Sequence, residues 1–455
     1  MSKEIMYNKR NFFECMSEEK VNSAFDYAKG YAEYLNNSKT ERDAVKYTAM
    51  LASKEGYIEY KIGDKLEIGG KYYLNNRDKS IYLFKIGEEN VENGIKILAA
   101  HIDSPRLDLK QRPLFEEGGM AFFKTHYYGG IRKYQWTAIP LALHGIVVKG
   151  DESIVDIVIG EDETDPILYV NDLLPHLAGK QSEKPLGSAI TGEQLNLLIG
   201  SQPTNDESDS VKKHVMKLIN DKYGITEDDL VSAELCAVPA GKARDVGLDR
   251  SMIAAYGHDD KVCAYPSITA LFESNNSKAT QMVILADKEE TGSDGSTGMQ
   301  SRLLCDLIDE ISAQTGANPR RVRSNSFCIS SDVNAAFDPN FSDVYEKANS
   351  AIIGCGVALS KYTGSRGKSG TSDASAEIVG KIRRIFADND VVWQSAELGK
   401  VDIGGGGTVA KYIANLNIDT IDIGVPVISM HAPIEVVSKA DLYSAHLGFL
   451  AFLCD

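Results

Sequence analysis

The sequence predicts an α/β fold: a central mixed sheet with helices on both faces, a metal site at its strand ends, and an inserted β-rich domain. Three observations predict it. First, four apolar runs each stop at His, Asp or Glu. Residues 94–100 stop at His101-Ile102-Asp103, 282–286 at Asp287-Lys288-Glu289-Glu290, 326–330 at Ser331-Asp332, and 423–430 at His431. Open α/β sheets place their ligand crevice at the carboxyl ends of the strands, so polar residues gather there. Second, helical stripes alternate with such runs from about residue 246 to the end. Third, between about 108 and 245 β-like runs alternate with loops, and strand-ending acids are sparse. The expected division is 1–107 with 246–455 as one domain and 108–245 as the insertion.

Within residues 17–55, Val21, Ala24, Phe25, Ala28, Tyr31, Ala32 and Leu35 recur at three and four, the stripe of a helix. Thr40 with Glu41 and Asp43 starts a second helix. Strands are expected near 57–61, 71–75, 80–85 and 94–100. In the insertion, 121–128, 138–148 and 153–159 read as strands and the polar stretch 200–209 as an exposed loop. A helix at 211–223 and a strand at 229–238 close that segment. Helices near 261–274, 299–315, 374–387, 408–415 and 439–452 then alternate with strands near 281–286, 326–331, 390–395, 418–423 and 427–430.

Composition excludes several classes of function. The net charge of −16, from 65 acids against 49 bases, argues against nucleic acid as a partner. No stretch reaches 18 apolar residues without charge or proline, and the N-terminus lacks an apolar core for secretion. A cytoplasmic protein without membrane contact is expected. The seven cysteines are odd in number and contain no Cys-x-x-Cys, so free thiols are expected rather than disulfides.

The strand-ending residues are metal-ligand types. His101 with Asp103 forms His-x-Asp, in which the carboxylate can accept the ring N–H not turned to metal. A lone buried histidine is more often simply hydrogen-bonded. Glu289 and Glu290 are adjacent, so on an extended chain they point opposite ways, one to a metal and one to a substrate as general base. Asp259, between a short apolar run and a predicted helix, can cap that helix or bridge two metals. Asp332 and His431 complete five oxygen or nitrogen ligands. Two divalent ions bring +4 against the −3 of Asp259, Glu290 and Asp332, and a bridging hydroxide neutralises the remainder.

Several segments together resemble the M18 metallo-aminopeptidases, a family that includes the aspartyl aminopeptidases. They are Ala99-Ala100-His101-Ile102-Asp103-Ser104-Pro105, Tyr128-Gly129-Gly130, Leu174-Pro175-His176-Leu177-Ala178 and His258-Asp259-Asp260, followed by Asp287-Lys288-Glu289-Glu290-Thr291-Gly292-Ser293, Ile329-Ser330-Ser331-Asp332 and Ser429-Met430-His431. The resemblance covers nearly the whole chain. It implies a zinc pair, with cobalt or manganese also suited to these ligands. His101, Asp259 and Asp332 would hold one ion; Asp259, Glu290 and His431 would hold the other. Glu289 would be the general base, and Asp103 would orient His101. His176 would reach a neighbouring subunit's site and donate to the oxyanion, and Lys361 would meet an acidic first side chain. The insertion would pair with its copy in a dodecamer that admits peptides.

The chain departs from the acid-preferring pattern after Asp332, where Asp332-Val333-Asn334-Ala335-Ala336-Phe337-Asp338 lacks a histidine. After Gly129-Gly130 the common aromatic and Asp-Arg pattern is absent, and Asp259-Asp260 stands where many members have Asp-Asn. The preferred residue is therefore open. A dinuclear carboxypeptidase or deacylase would need a cationic clamp, for which Arg250 and Arg366 are available. A scaffold with a vestigial site is the non-enzymatic alternative. The glycine run 404–407 lacks the Gly-Lys-[Ser/Thr] ending of a phosphate loop.

Overall fold

The computed structural model describes residues 5–205 and 208–455. The first four residues of the N-terminal segment, and two residues within the expected loop at 200–209, lie outside them. The chain packs as two compact units. One runs to Asp103 and resumes over Ala243–Met430 and Glu435–Asp455; the other is Ser104–Lys242 with His431–Ile434.

The first unit is built on a nine-stranded mixed sheet. Its order is Ile58–Glu59, Lys71–Asn76, Ser80–Lys85, Gln281–Ala286, Lys96–His101, Phe327–Ser330, Asp419–Gly424, Val357–Ser360 and Trp393–Ser395. The four strands from Gln281–Ala286 to Asp419–Gly424 are mutually parallel. Successive side chains of a strand point to opposite faces, and both faces here are apolar. Leu98, Ala100, Val283, Leu285, Ile329 and Ile421 join one buried cluster with Tyr31, Val45, Val262, Ile382 and Phe449. These come from the helices Glu18–Asn36, Glu41–Lys54, His258–Glu273, Ala376–Asp388 and Lys439–Cys454. Ile97, Ala99, Met282, Ile284 and Cys328 join the other cluster, with Leu307, Val322 and Ile413 of the helices Leu303–Thr315, Pro319–Asn325 and Ala410–Ala414. The helix Glu41–Lys54 starts with a capping box: Thr40 accepts from the Asp43 N–H while Asp43 accepts from the Thr40 N–H.

The structure adds a strand and a sheet assignment to the sequence reading. Val357–Ser360 is a fully buried strand, antiparallel to Asp419–Gly424. Four residues are too few for periodicity to reveal it. The two strands expected near 418–423 and 427–430 both form, but in different sheets. Asp419–Gly424 ends in the large sheet, and Pro426–Ile428 belongs to a separate five-stranded sheet with Arg244–Val246, Met252–Ala255, Glu435–Ser438 and Asn334–Ala335. Pro426 has no N–H to donate, which favours a break in the ladder at that point.

The second unit is a seven-stranded antiparallel sheet. Ala233–Pro239 pairs with both Arg106–Glu117 and Pro140–Val148, which closes the sheet on itself. Closure takes away the edges of those strands, while Ile154–Ile159 pairs only with Pro140–Val148 and stays at an edge. Val211 and Val215 of the helix Ser210–Tyr223 pack with Ala121. All seven cysteines are free, four of them buried. No helix among the described residues is long and apolar enough to cross a membrane.

The central strands bury their side chains in the two apolar layers of the first unit. Leu98 is fully buried, and Leu98→Ala is expected to cost about 2–5 kcal/mol, the range for leucine truncation in packed cores. Urea unfolding followed by circular dichroism measures it. A cost below about 0.5 kcal/mol, the level of a surface change, would contradict this packing.

Candidate active site

Strand register brings the site together. His101 ends its strand opposite Ala286, and Ser330 lies opposite Ala99, so the chain leaves the sheet at one level on three neighbouring strands. After Ala286 the chain turns sharply. Lys288 at φ 67° and Gly292 at φ 97° flank a single helical turn, Glu289–Thr291. Glycine suits the left-handed position after that turn. Asp332 follows Phe327–Ser330, with Ser331 donating to the Ile423 carbonyl at 2.8 Å. A Cβ on Gly424 would lie 1.6 Å from the Asp332 carbonyl oxygen, so only glycine lets the two backbones meet there. Asp259 and Asp260 open the helix His258–Glu273.

Donor atoms converge in three overlapping groups, each within 4.8 Å: His101, Asp259 and Glu290; His101, Glu289 and Asp332; and Asp259, Asp260 and Asp332. His101 Nε2 is 3.1 Å from Asp259 Oδ1, 3.9 Å from Asp332 Oδ1 and 4.0 Å from Glu289 Oε2. Its Nδ1 is 3.0 Å from the Asp103 carbonyl and 3.3 Å from Asp103 Oδ1. Both Asp103 atoms accept, so Nδ1 carries a hydrogen, and Nε2 is the nitrogen that faces Asp259, Asp332 and Glu289. Asp103 does a second thing. Its two carboxylate oxygens accept the backbone N–H groups of Glu289 and Glu290, each at 3.2 Å.

The electrostatics call for a cation. Burial alone lowers the proton affinity of His101, but Asp103 and Asp259 outweigh it and hold the pKa well above its ordinary value. Burial, then neighbouring Glu289, pushes Asp332 well above the usual carboxylate range. Burial does the same to Asp260, opposed by His101 and reinforced by Asp259. Carboxylates crowded in low dielectric cannot all ionise unless something positive joins them. Two ligands of a tetrahedral zinc stand roughly 3.3 Å apart, close to the His101–Asp259 separation. Imidazole with carboxylates is a donor set that zinc accepts, so the residues present fit the metal.

His258 shows the contrast. Tyr31 lies 2.7 Å from its Nδ1 and the Ile253 carbonyl 3.1 Å from its Nε2. Burial pushes its pKa down to about 3, and it is a neutral core histidine. His431 packs with the second unit, where Nδ1 is 2.8 Å from the Gly130 carbonyl. A carbonyl only accepts, so Nε2 is the nitrogen with a lone pair for metal. His176 is exposed in the turn Pro175–Leu177 of the same unit. Lys361 is half-exposed, its ammonium 3.8 Å from Asp373. Two contributors escaped the sequence reading. Asp260 accepts the His101 backbone N–H at 3.3 Å, and Glu435 accepts that of Asp259 at 3.0 Å. The one signal for Glu435 is an acid inside the β-like run Ile434-Glu435-Val436-Val437.

Residues 34–453 match the family model for aminopeptidase I zinc metalloproteases (M18). The chain belongs to the M18 family. It is 48% identical over 463 residues to the probable M18 family aminopeptidase 1 of Clostridium acetobutylicum, covering 100% of both. The crystal structure of the M18 aminopeptidase from Thermotoga maritima superposes with a TM-score of 0.95 at 40% identity, over 98% of this chain and 99% of that one. Aminopeptidase I from Clostridium acetobutylicum gives 0.93 at 46% identity, over 99% and 100%. The protein is thus a metallo-aminopeptidase of the zinc-dependent M18 family.

Asp103 links His101 to both glutamates, so Asp103→Asn should disturb all three. An amide oxygen can accept from one of the two backbone N–H groups while its NH2 opposes the other. We expect kcat/KM on an amino-acid anilide to fall by about 10–100-fold, the usual effect of removing a partner that orients metal ligands. Unchanged kcat/KM would show that Asp103 orients nothing.

Proposed function

We propose that this aminopeptidase works with two divalent ions. His101, Asp259 and Asp332 would hold one, and Asp259, Glu290 and His431 the other. The observation that carries this reading is the place of Asp259, whose donor atoms join both His101 with Glu290 and Asp260 with Asp332. When bound, such ions supply Lewis acidity that acidifies water and polarises a carbonyl. Glu289 acts as general base, taking a proton from the attacking water and delivering it to the leaving amine. It has the more open carboxylate, its side chain 18% exposed against 4% for Asp259 and 11% for Asp332.

An acidic first residue is the proposed preference. Lys361 would exchange Asp373 for the substrate's carboxylate. In the second unit, Leu173, Leu174, Leu177 and Leu186 are exposed around His176. Exposed leucines concentrated in one segment are what a buried contact between subunits would need. We propose that this unit pairs with its copy, that His176 donates to the oxyanion across that contact, and that the assembly is a dodecamer. The mApe1 structure from S. cerevisiae, of the same fold at 20% identity, is described as a dodecamer. The seven free cysteines support work in a reducing cytoplasm.

Exhaustive chelation should abolish peptide cleavage, and zinc, cobalt or manganese should restore part of it. Glu289→Gln removes a proton acceptor, so both ions should stay while kcat falls by about 100- to 10,000-fold. Glu290→Gln removes a ligand, so metal content should fall. Elemental analysis beside steady-state kinetics separates the two. Near-normal kcat in Glu289→Gln, or full metal in Glu290→Gln, would reverse the assignments.

A further inference from the structure

We infer that Glu435 is a positioning residue that fixes Asp259 for metal binding. The inference rests on the reading of Asp259 as the shared ligand. Glu435 is 1% exposed and opens the strand Glu435–Ser438. It pairs in register with Ala255, the last residue of the strand that leads into the turn before Asp259. From there its Oε2 accepts the Asp259 backbone N–H at 3.0 Å.

Nothing in the strand itself calls for an acid. Its neighbour Val437 is fully buried, and an apolar residue would serve the pairing as well. A buried carboxylate is costly in apolar surroundings, and more so beside other acids. Glu435 is in none of the converging donor groups. It does accept the main-chain N–H of the residue that two of those groups share. His258, one residue earlier, is tied to Ile253 and Tyr31. The chain is therefore pinned on both sides of the His258–Asp259 peptide. That restricts the swing of the Asp259 carboxylate, which has to face both ions at once.

The test is zinc affinity of the metal-free protein, measured by competition with a chromophoric chelator, after circular dichroism has shown each variant folded. Glu435→Ala should bind zinc about 10–100-fold more weakly. Glu435→Leu fills more of the side-chain volume, should weaken binding alike, and serves if the alanine protein does not fold. Glu435→Gln keeps an oxygen that accepts the same N–H and should stay within a few-fold of the parent. A merely structural Glu435 would lower Tm yet leave the affinity of the folded protein unchanged. Parent-like affinity in folded Glu435→Ala or Glu435→Leu overturns the inference, as does Glu435→Gln binding as weakly as alanine. Asp259→Asn separates this failure from failure of the site itself. If Asp259→Asn binds zinc like the parent, the ligand assignment falls and the inference with it. If Asp259→Asn is weak while Glu435→Ala is not, only the role of Glu435 is lost.

Discussion

The Asp103 carboxylate is the joint on which the site depends. It lies where the strand Lys96–His101 leaves the sheet, and it is fully buried. It reaches back to His101 Nδ1 and across to the backbone of Glu289 and Glu290. One carboxylate thus sets a ring tautomer on its own strand and the path of a turn on the next. Both are geometric requirements of metal catalysis, because ligand lone pairs must point to common centres before an ion arrives. The parallel pairing of Lys96–His101 with Gln281–Ala286 makes this reach possible.

Around that joint the fold concentrates acids more densely than water exclusion alone would permit. Asp103, Asp259 and Asp260 are buried, and Glu289, Glu290 and Asp332 are largely so. The raised proton affinities of Asp260, Asp332 and His101 have the same origin, burial for the two acids and neighbouring carboxylates for the histidine. Apolar layers on both faces of the sheet supply the stability to hold this arrangement. Glu435 and Asp260 extend it, each accepting a backbone N–H from a different element, that of Asp259 and that of His101. The site is less a set of ligands than a backbone scaffold clamped by carboxylates.

Much of this was legible in the sequence. Apolar runs ending in His101, Glu289-Glu290 and Asp332 became neighbouring strand ends, because a polar residue at the end of a buried strand has few other places to go. The Thr40 cap and the stripe from Val21 to Leu35 gave the first two helices. Other features needed the third dimension. Val357–Ser360 is too short to show a period. The strands expected near 418–423 and 427–430 are there, but their membership of two different sheets is a matter of pairing that neither run displays. Asp103 reads in sequence as a partner of His101; its hold on Glu289 and Glu290 spans more than 180 residues and follows from register. Glu435 reads as a stray acid in a strand, since its bond to the Asp259 N–H lies across 176 residues of chain.

The central claim is that two ions share Asp259. Crystals of the zinc-loaded protein, with diffraction recorded on both sides of the zinc absorption edge, test it most directly. The account predicts two anomalous peaks per chain, one among His101, Asp259 and Asp332 and one among Asp259, Glu290 and His431. A single peak, or two peaks of which one lies beyond the reach of Asp259, would contradict it.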